Sequence, residues 1–104
     1  MVQPNIIELA TRIDNVTSPL LEAQINTVLD TAPSALILDL TNVTFVSSIG
    51  LRVLLTTAKS CRKQNVQLAL HSVSPQIVEL LSLSGLSSFF PVYPTRETAL
   101  SSFV

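Results

Sequence analysis

The sequence predicts a small α/β domain: a single unit over residues 1–104, with a mostly parallel sheet of four to five strands and about four helices. Three observations carry this. The run Ala35-Leu36-Ile37-Leu38-Asp39-Leu40 is nearly continuous in apolar character, as a parallel strand covered on both faces must be. Apolar residues at helical spacing, Leu21, Ile25, Val28, Leu29 and Ala32 before that run and Leu51, Leu54, Leu55, Ala58 and Cys61 after it, alternate with strand-like segments. Ser18-Pro19 and Ser74-Pro75 repeat the pattern of a capping hydroxyl followed by a proline at a helix start.

Taken in order, Ile6 to Ile13 reads as one bent strand or a pair of short ones, with Pro4 placing it at a sheet edge, where it can run antiparallel, or limiting its length. A first helix follows from Ser18 and stops at Pro33. The central strand is Ala35–Leu40. A linker from Thr41 to Ser48 leads into the second helix, whose Lys59, Arg62 and Lys63 gather at the negative end of its dipole. Val66 to Leu70 forms the next strand. The third helix begins at Ser74-Pro75 and ends at Gly85, with Leu86 closing the cap. A last short strand lies within Phe90–Tyr93, and Thr95 caps a terminal helix carrying Ala99, Leu100 and Phe103. Strands separated by helices require right-handed crossovers, hence the parallel sheet.

Composition narrows the function. Charged residues are 12% of the chain, and six Lys plus Arg against seven Asp plus Glu leave a net charge of −1. Nucleic acid has no basic footprint to bind. With so few charges, much of the surface is hydroxyl, amide and apolar, which favours association with another protein, a second copy of this chain included. The single cysteine, Cys61, has no internal disulfide partner, and the N-terminal residues lack the basic start and apolar stretch of a secretory signal, so a cytoplasmic location is expected. The six-residue run at Ala35–Leu40 is too short to cross a bilayer.

In an open parallel sheet the working edge lies at the carboxyl ends of the strands. Two loops fall there: Thr41 to Gly50, which ends on the adjacent hydroxyls Ser47 and Ser48 at a helix start, and His71 to Ser74. A helix cap needs one hydroxyl, not two. Gly50 suits either a close approach by another backbone or tight internal packing. Arg52, one turn beyond Ser48, can meet a phosphate or a carboxylate or simply be solvated. Asp39, at the end of an apolar strand, needs donors and is expected to order loop backbone, and Asp14 is expected to end a turn. Ser48, His71 and either aspartate supply the residue types of a hydrolase triad, but no nucleophile-elbow motif is present and the chain leaves little room for a substrate pocket. One His and one Cys give no metal-ligand spacing, and two glycines exclude the phosphate-binding loop motifs, so no metal or cofactor is expected.

From Ile6 to Phe103 the sequence resembles the STAS family, the sulfate-transporter and anti-sigma-factor-antagonist domain. The resemblance is carried by Arg12-Ile13-Asp14, by Leu38-Asp39-Leu40-Thr41-Asn42-Val43-Thr44-Phe45, by Ser47-Ser48-Ile49-Gly50-Leu51-Arg52-Val53-Leu54, and by the segments Gly85-Leu86 and Phe90-Pro91-Val92-Tyr93. Three positions depart from the common pattern: Ser47 stands where aspartate is frequent, Ile49 where a small residue is usual, and Thr11 in place of a frequent glycine.

The resemblance implies a non-enzymatic, partner-switching regulator of transcription. Its partner would be an anti-sigma factor that is also a serine kinase. Phosphorylation at Ser48, with Ser47 the second candidate, would release that partner, and a phosphatase would restore binding. The expected partner-binding residues, from the quoted motifs and the sheet edge together, are Asp14, Asp39, Thr41, Asn42, Ser47, Ser48, Ile49, Gly50, Arg52 and His71. The alternative is a constitutive interaction or scaffolding module, for example a subunit of a transport complex, in which Ser48 only caps a helix. A small serine hydrolase is the remote third reading.

Overall fold

The computed structural model describes residues 4–103. They form β1 (Asn5–Glu8), β2 (Arg12–Ile13), α1 (Thr17–Leu29), β3 (Ala35–Asp39), β4 (Phe45–Val46), α2 (Ser48–Lys63), β5 (Gln67–His71), α3 (Pro75–Leu83), β6 (Val92–Tyr93) and α4 (Arg96–Ser101), with a 3-10 turn at Ser87–Phe89. Four strands make one sheet in the order β1-β3-β5-β6, and β2 pairs with β4 in a separate two-stranded ribbon. All of these pairings are parallel. The Ile6–Ile13 segment is thus two strands, and β1 at the sheet edge does not run antiparallel. After β1 the chain returns along α1 to begin β3 at the same end, which is the geometry of a parallel crossover.

Every residue of β3 is buried. Alternation along the strands divides them between two layers. Leu36, Leu38, Leu68 and Leu70 pack into the main core with residues of α1, α2 and α3, such as Ile25, Leu54 and Leu81. Ile37, Asp39, Ala69 and His71 face the other way, in register with one another across β3 and β5. On that side lies α4, which contributes the fully buried Ala99 and reaches Asp39 through Arg96. No helix among the described residues is long and apolar enough to cross a membrane.

The helix ends show where local chemistry acts. Ser74 Oγ accepts the Ile77 amide with Pro75 in the first turn, Gly85 takes φ +75° after α3, and Thr95 forms a reciprocal capping box with Thr98. Ser18, by contrast, is not a cap. The helix starts earlier, at Thr17, because Asp14 Oδ1 accepts the Val16 and Thr17 amides at 3.0 and 3.1 Å. Ser18 is therefore buried inside the first turn, and its hydroxyl has no hydrogen-bond partner among the described residues. Ala32 also falls outside α1, adopting φ +53° just before Pro33, where the following ring disfavours helical backbone.

Candidate functional site

The N-terminus of α2 stands at the carboxyl edge of the sheet because β4 delivers it there. Ser47 is held from outside the helix, its amide donating to the Ile13 carbonyl at 2.8 Å. It has extended backbone, and its Oγ accepts the Gly50 amide at 3.1 Å. Ser47 is therefore the cap. Ser48 follows as the first helical residue, exposed, and its hydroxyl makes no hydrogen bond among the described residues. Ser47 departs from the aspartate frequent at this position in the family it resembles, and serine and aspartate are both strong acceptors at an N-cap.

Two exposed apolar side chains belong to the elements that meet at this turn. Ile49 is 45% exposed and Phe45 40%. The Arg12 guanidinium lies 4.3 Å from the centre of the Phe45 ring and has its Nε 3.5 Å from Asp14 Oδ2. Arg52 is exposed one turn beyond Ser48, and Thr41, Asn42 and Thr44 are exposed along the loop that leads to β4. Arg12 and Phe45 thus form one exposed pair across β2 and β4, and Ser48, Ile49 and Arg52 are exposed in the first turns of α2, the helix that follows β4. Arg12 and Phe45 were not among the sequence candidates. Phe45 lay in what read as linker, and a two-residue strand is too short to show an alternating pattern.

Gly50, in contrast, is not a partner contact. It is buried, and a Cβ placed on it would lie 2.6 Å from the Ile13 carbonyl oxygen, 2.8 Å from Ile13 Cγ2 and 3.0 Å from Val46 Cγ1. Internal packing accounts for the glycine. Asp39 and His71 are likewise interior, His71 only 2% exposed, so neither offers surface to a visitor. Asp39 Oδ1 accepts the Thr41 amide and hydroxyl, and Oδ2 accepts Arg96 Nη2 at 2.8 Å. Burial opposes the charge on Asp39, but the Thr41 and Arg96 hydrogen bonds and His71 outweigh it, and the carboxyl is held below the usual range. Asp39 thereby orders the first residue of the loop that ends at Ser48. Sequence reading missed Arg96, which joins it across a large chain separation.

His71 Nδ1 meets Ser72 Oγ at 2.8 Å, while its Nε2 lies 3.8 Å from Asp39 Oδ1 without a hydrogen bond. No hydrogen bond joins Ser48 to His71 among the described residues. Asp14 is drawn below the usual carboxylate range chiefly by the Thr17 and Val16 amides, consistent with a helix-capping role. Burial pushes the Cys61 thiol up to about 11, which makes it a poor nucleophile. No group of three metal-ligating side chains occurs among the described residues.

Comparison with known proteins bears on the family and the fold. Residues 2–99 match the STAS domain family. The chain is 29% identical over 97 residues, 92% of its own length and 83% of the other's, to the anti-sigma F factor antagonist of Paenibacillus polymyxa. It is similar to the crystal structure of an anti-sigma factor antagonist from Mycobacterium paratuberculosis, with 32% identity, a TM-score of 0.81 and coverage of 95% and 84% of the two chains. It also shares the fold of the anti-sigma factor antagonist SpoIIAA in its unphosphorylated form, at a TM-score of 0.82, 20% identity and coverage of 99% and 90%.

Proposed function

The chain belongs to the STAS domain family, and from that premise we propose that it is an anti-sigma factor antagonist that switches partners through phosphorylation at Ser48. In the unmodified state it docks on an anti-sigma factor that is also a serine kinase, and a phosphatase reverses the modification. The protein acts in the cytoplasm and catalyses nothing itself; Ser48 is substrate, not nucleophile. The observation that carries this reading is the division of labour between adjacent serines. Ser47 caps α2, while Ser48 is exposed at the start of the helix, next in the chain to the exposed Ile49.

The physics of the switch follows from that position. A phosphoryl group adds about −1.5 to −2 charges and three acceptor oxygens. Here it enters the first turn of α2, where the Ser48 and Ile49 amides have no backbone acceptor among the described residues and the helix dipole favours an anion. The fold tolerates the modification. A partner seated on Phe45 and Ile49 does not, because the new charge must be desolvated within an apolar contact. Support for an anti-sigma factor as that partner comes from the relatives, which are named as antagonists of such factors.

Affinity capture tests the reading. The wild-type chain is expected to recover a serine-kinase anti-sigma factor from its own organism, and Ser48→Asp to recover far less with unchanged far-UV circular dichroism. Equal recovery by both chains contradicts the switch.

A further inference from the structure

The other side of α1 carries a feature that the Ser48 face does not use. Between the end of β1 and α1 lies an open cleft of about 140 Å³, walled by Leu9, Ile13, Leu20 and Leu21, with Glu8 and Gln24 among its polar lining. Leu20 is 69% exposed, and Val16, immediately before the helix and four positions earlier, is 70% exposed. An uncovered aliphatic pair beside an apolar cleft is surface that a partner gains by burying. The volume suits one side chain and falls well below the ~300 Å³ at which small-molecule pockets begin.

Charge indicates which side chain. Between Arg12 and Arg52 the sequence contains no Lys or Arg, while Asp14, Glu22, Asp30 and Asp39 all fall there, so α1 brings no cation to this flank. At the cleft, the Glu8 side chain is 72% exposed. Its contact with Arg96 is long, 3.9 Å, since that guanidinium is engaged by Asp39 at 2.8 Å. A carboxylate beside an aliphatic trough matches a side chain with an apolar stem and a cationic end.

We propose that this cleft is a second docking site, taking a Lys or Arg of a partner protein with its alkyl stem on Leu9, Leu20 and Leu21 and its cation at Glu8, and an apolar neighbour covering Val16. Ile13 borders both places: it lines the cleft, and its carbonyl accepts the Ser47 amide and abuts Gly50. The proposal does not depend on whether Ser48 is phosphorylated.

The test is an NMR titration of the isotopically labelled full chain with two probes at millimolar concentration, acetyl-Leu-Lys-Leu-amide and acetyl-Leu-Glu-Leu-amide. The basic peptide is expected to shift the amides of Glu8, Ala10, Leu20 and Gln24, with smaller shifts at Ser47 and Gly50, and to bind about 2- to 5-fold more tightly than the acidic one. Glu8→Gln is expected to abolish that preference, Leu20→Ser to weaken both peptides, and Glu22→Gln to change neither. Absence of saturable shifts around the cleft, or equal binding of the two peptides by the wild type, overturns the proposal. So does a preference that survives Glu8→Gln. A kinase assay on Ser48 is unaffected by any of these results, so the two readings fail separately.

Discussion

The Ile13 carbonyl oxygen occupies the space in which a side chain on Gly50 would begin, 2.6 Å from where its Cβ would sit. The same oxygen accepts the Ser47 amide at 2.8 Å. One backbone atom of β2 thus holds the cap of α2 and requires glycine three residues later.

Gly50→Ala is therefore expected to destabilise the protein by about 1–3 kcal/mol, as overpacking does, despite the roughly 1 kcal/mol by which alanine is the better helix former. The clash is with backbone, which cannot rotate away. Urea denaturation measures it, and a neutral or stabilising result contradicts the packing described.

Adjacent serines should respond differently to truncation. Ser47→Ala removes the acceptor for the Gly50 amide and is expected to cost about 0.5–2 kcal/mol. Ser48→Ala removes an exposed hydroxyl and is expected to stay within about 0.5 kcal/mol of wild type. Thermal or urea unfolding of the two variants separates the structural serine from the one available for modification.

Arg96 and Asp39 tie α4 to the sheet. Arg96→Met removes a charge-assisted hydrogen bond from a carboxylate that is 8% exposed, for an expected loss of about 1.5–3 kcal/mol. The pH dependence has a definite sign. Because the folded carboxyl of Asp39 is held below its ordinary value of 3.8, its ionised form contributes stability fully above that value, and the contribution disappears as pH falls through the depressed one. The advantage of wild type over Asp39→Asn is expected to be larger at pH 7 than at pH 3 in paired denaturation curves.

Much of this was legible in the sequence because it depends on local or periodic chemistry. The buried run at Ala35–Leu40, the proline-led start of α3, the glycine after it and the Thr95 cap are each set by a few neighbouring residues. The first helix was placed late because Ser18-Pro19 has the pattern of a start, while Asp14 and Thr17 compete for the same role and prevail. Thr17 Oγ1 both accepts the Asp14 amide and donates to the Arg12 carbonyl, bonds that Ser18 does not make. The strand at Phe45–Val46 is too short to show a period, and it exists because Ile13 lies alongside it. Within the site, position along the chain correctly indicated the start of α2, but it could not separate surface from interior. Gly50 and Asp39 lie within the quoted motifs and His71 at the same sheet edge, yet all three are buried. The Arg96 contact with Asp39 is a tertiary accident of where α4 settles, and no spacing announces it.

Phosphopeptide mapping by mass spectrometry, after incubation with the cognate anti-sigma factor kinase and ATP, tests the central claim most directly. A single phosphate is expected, on Ser48, lost in Ser48→Ala and retained in Ser47→Ala. Phosphate on Ser47 or elsewhere, or an unmodified chain while a known antagonist is labelled by its own kinase in parallel, contradicts it.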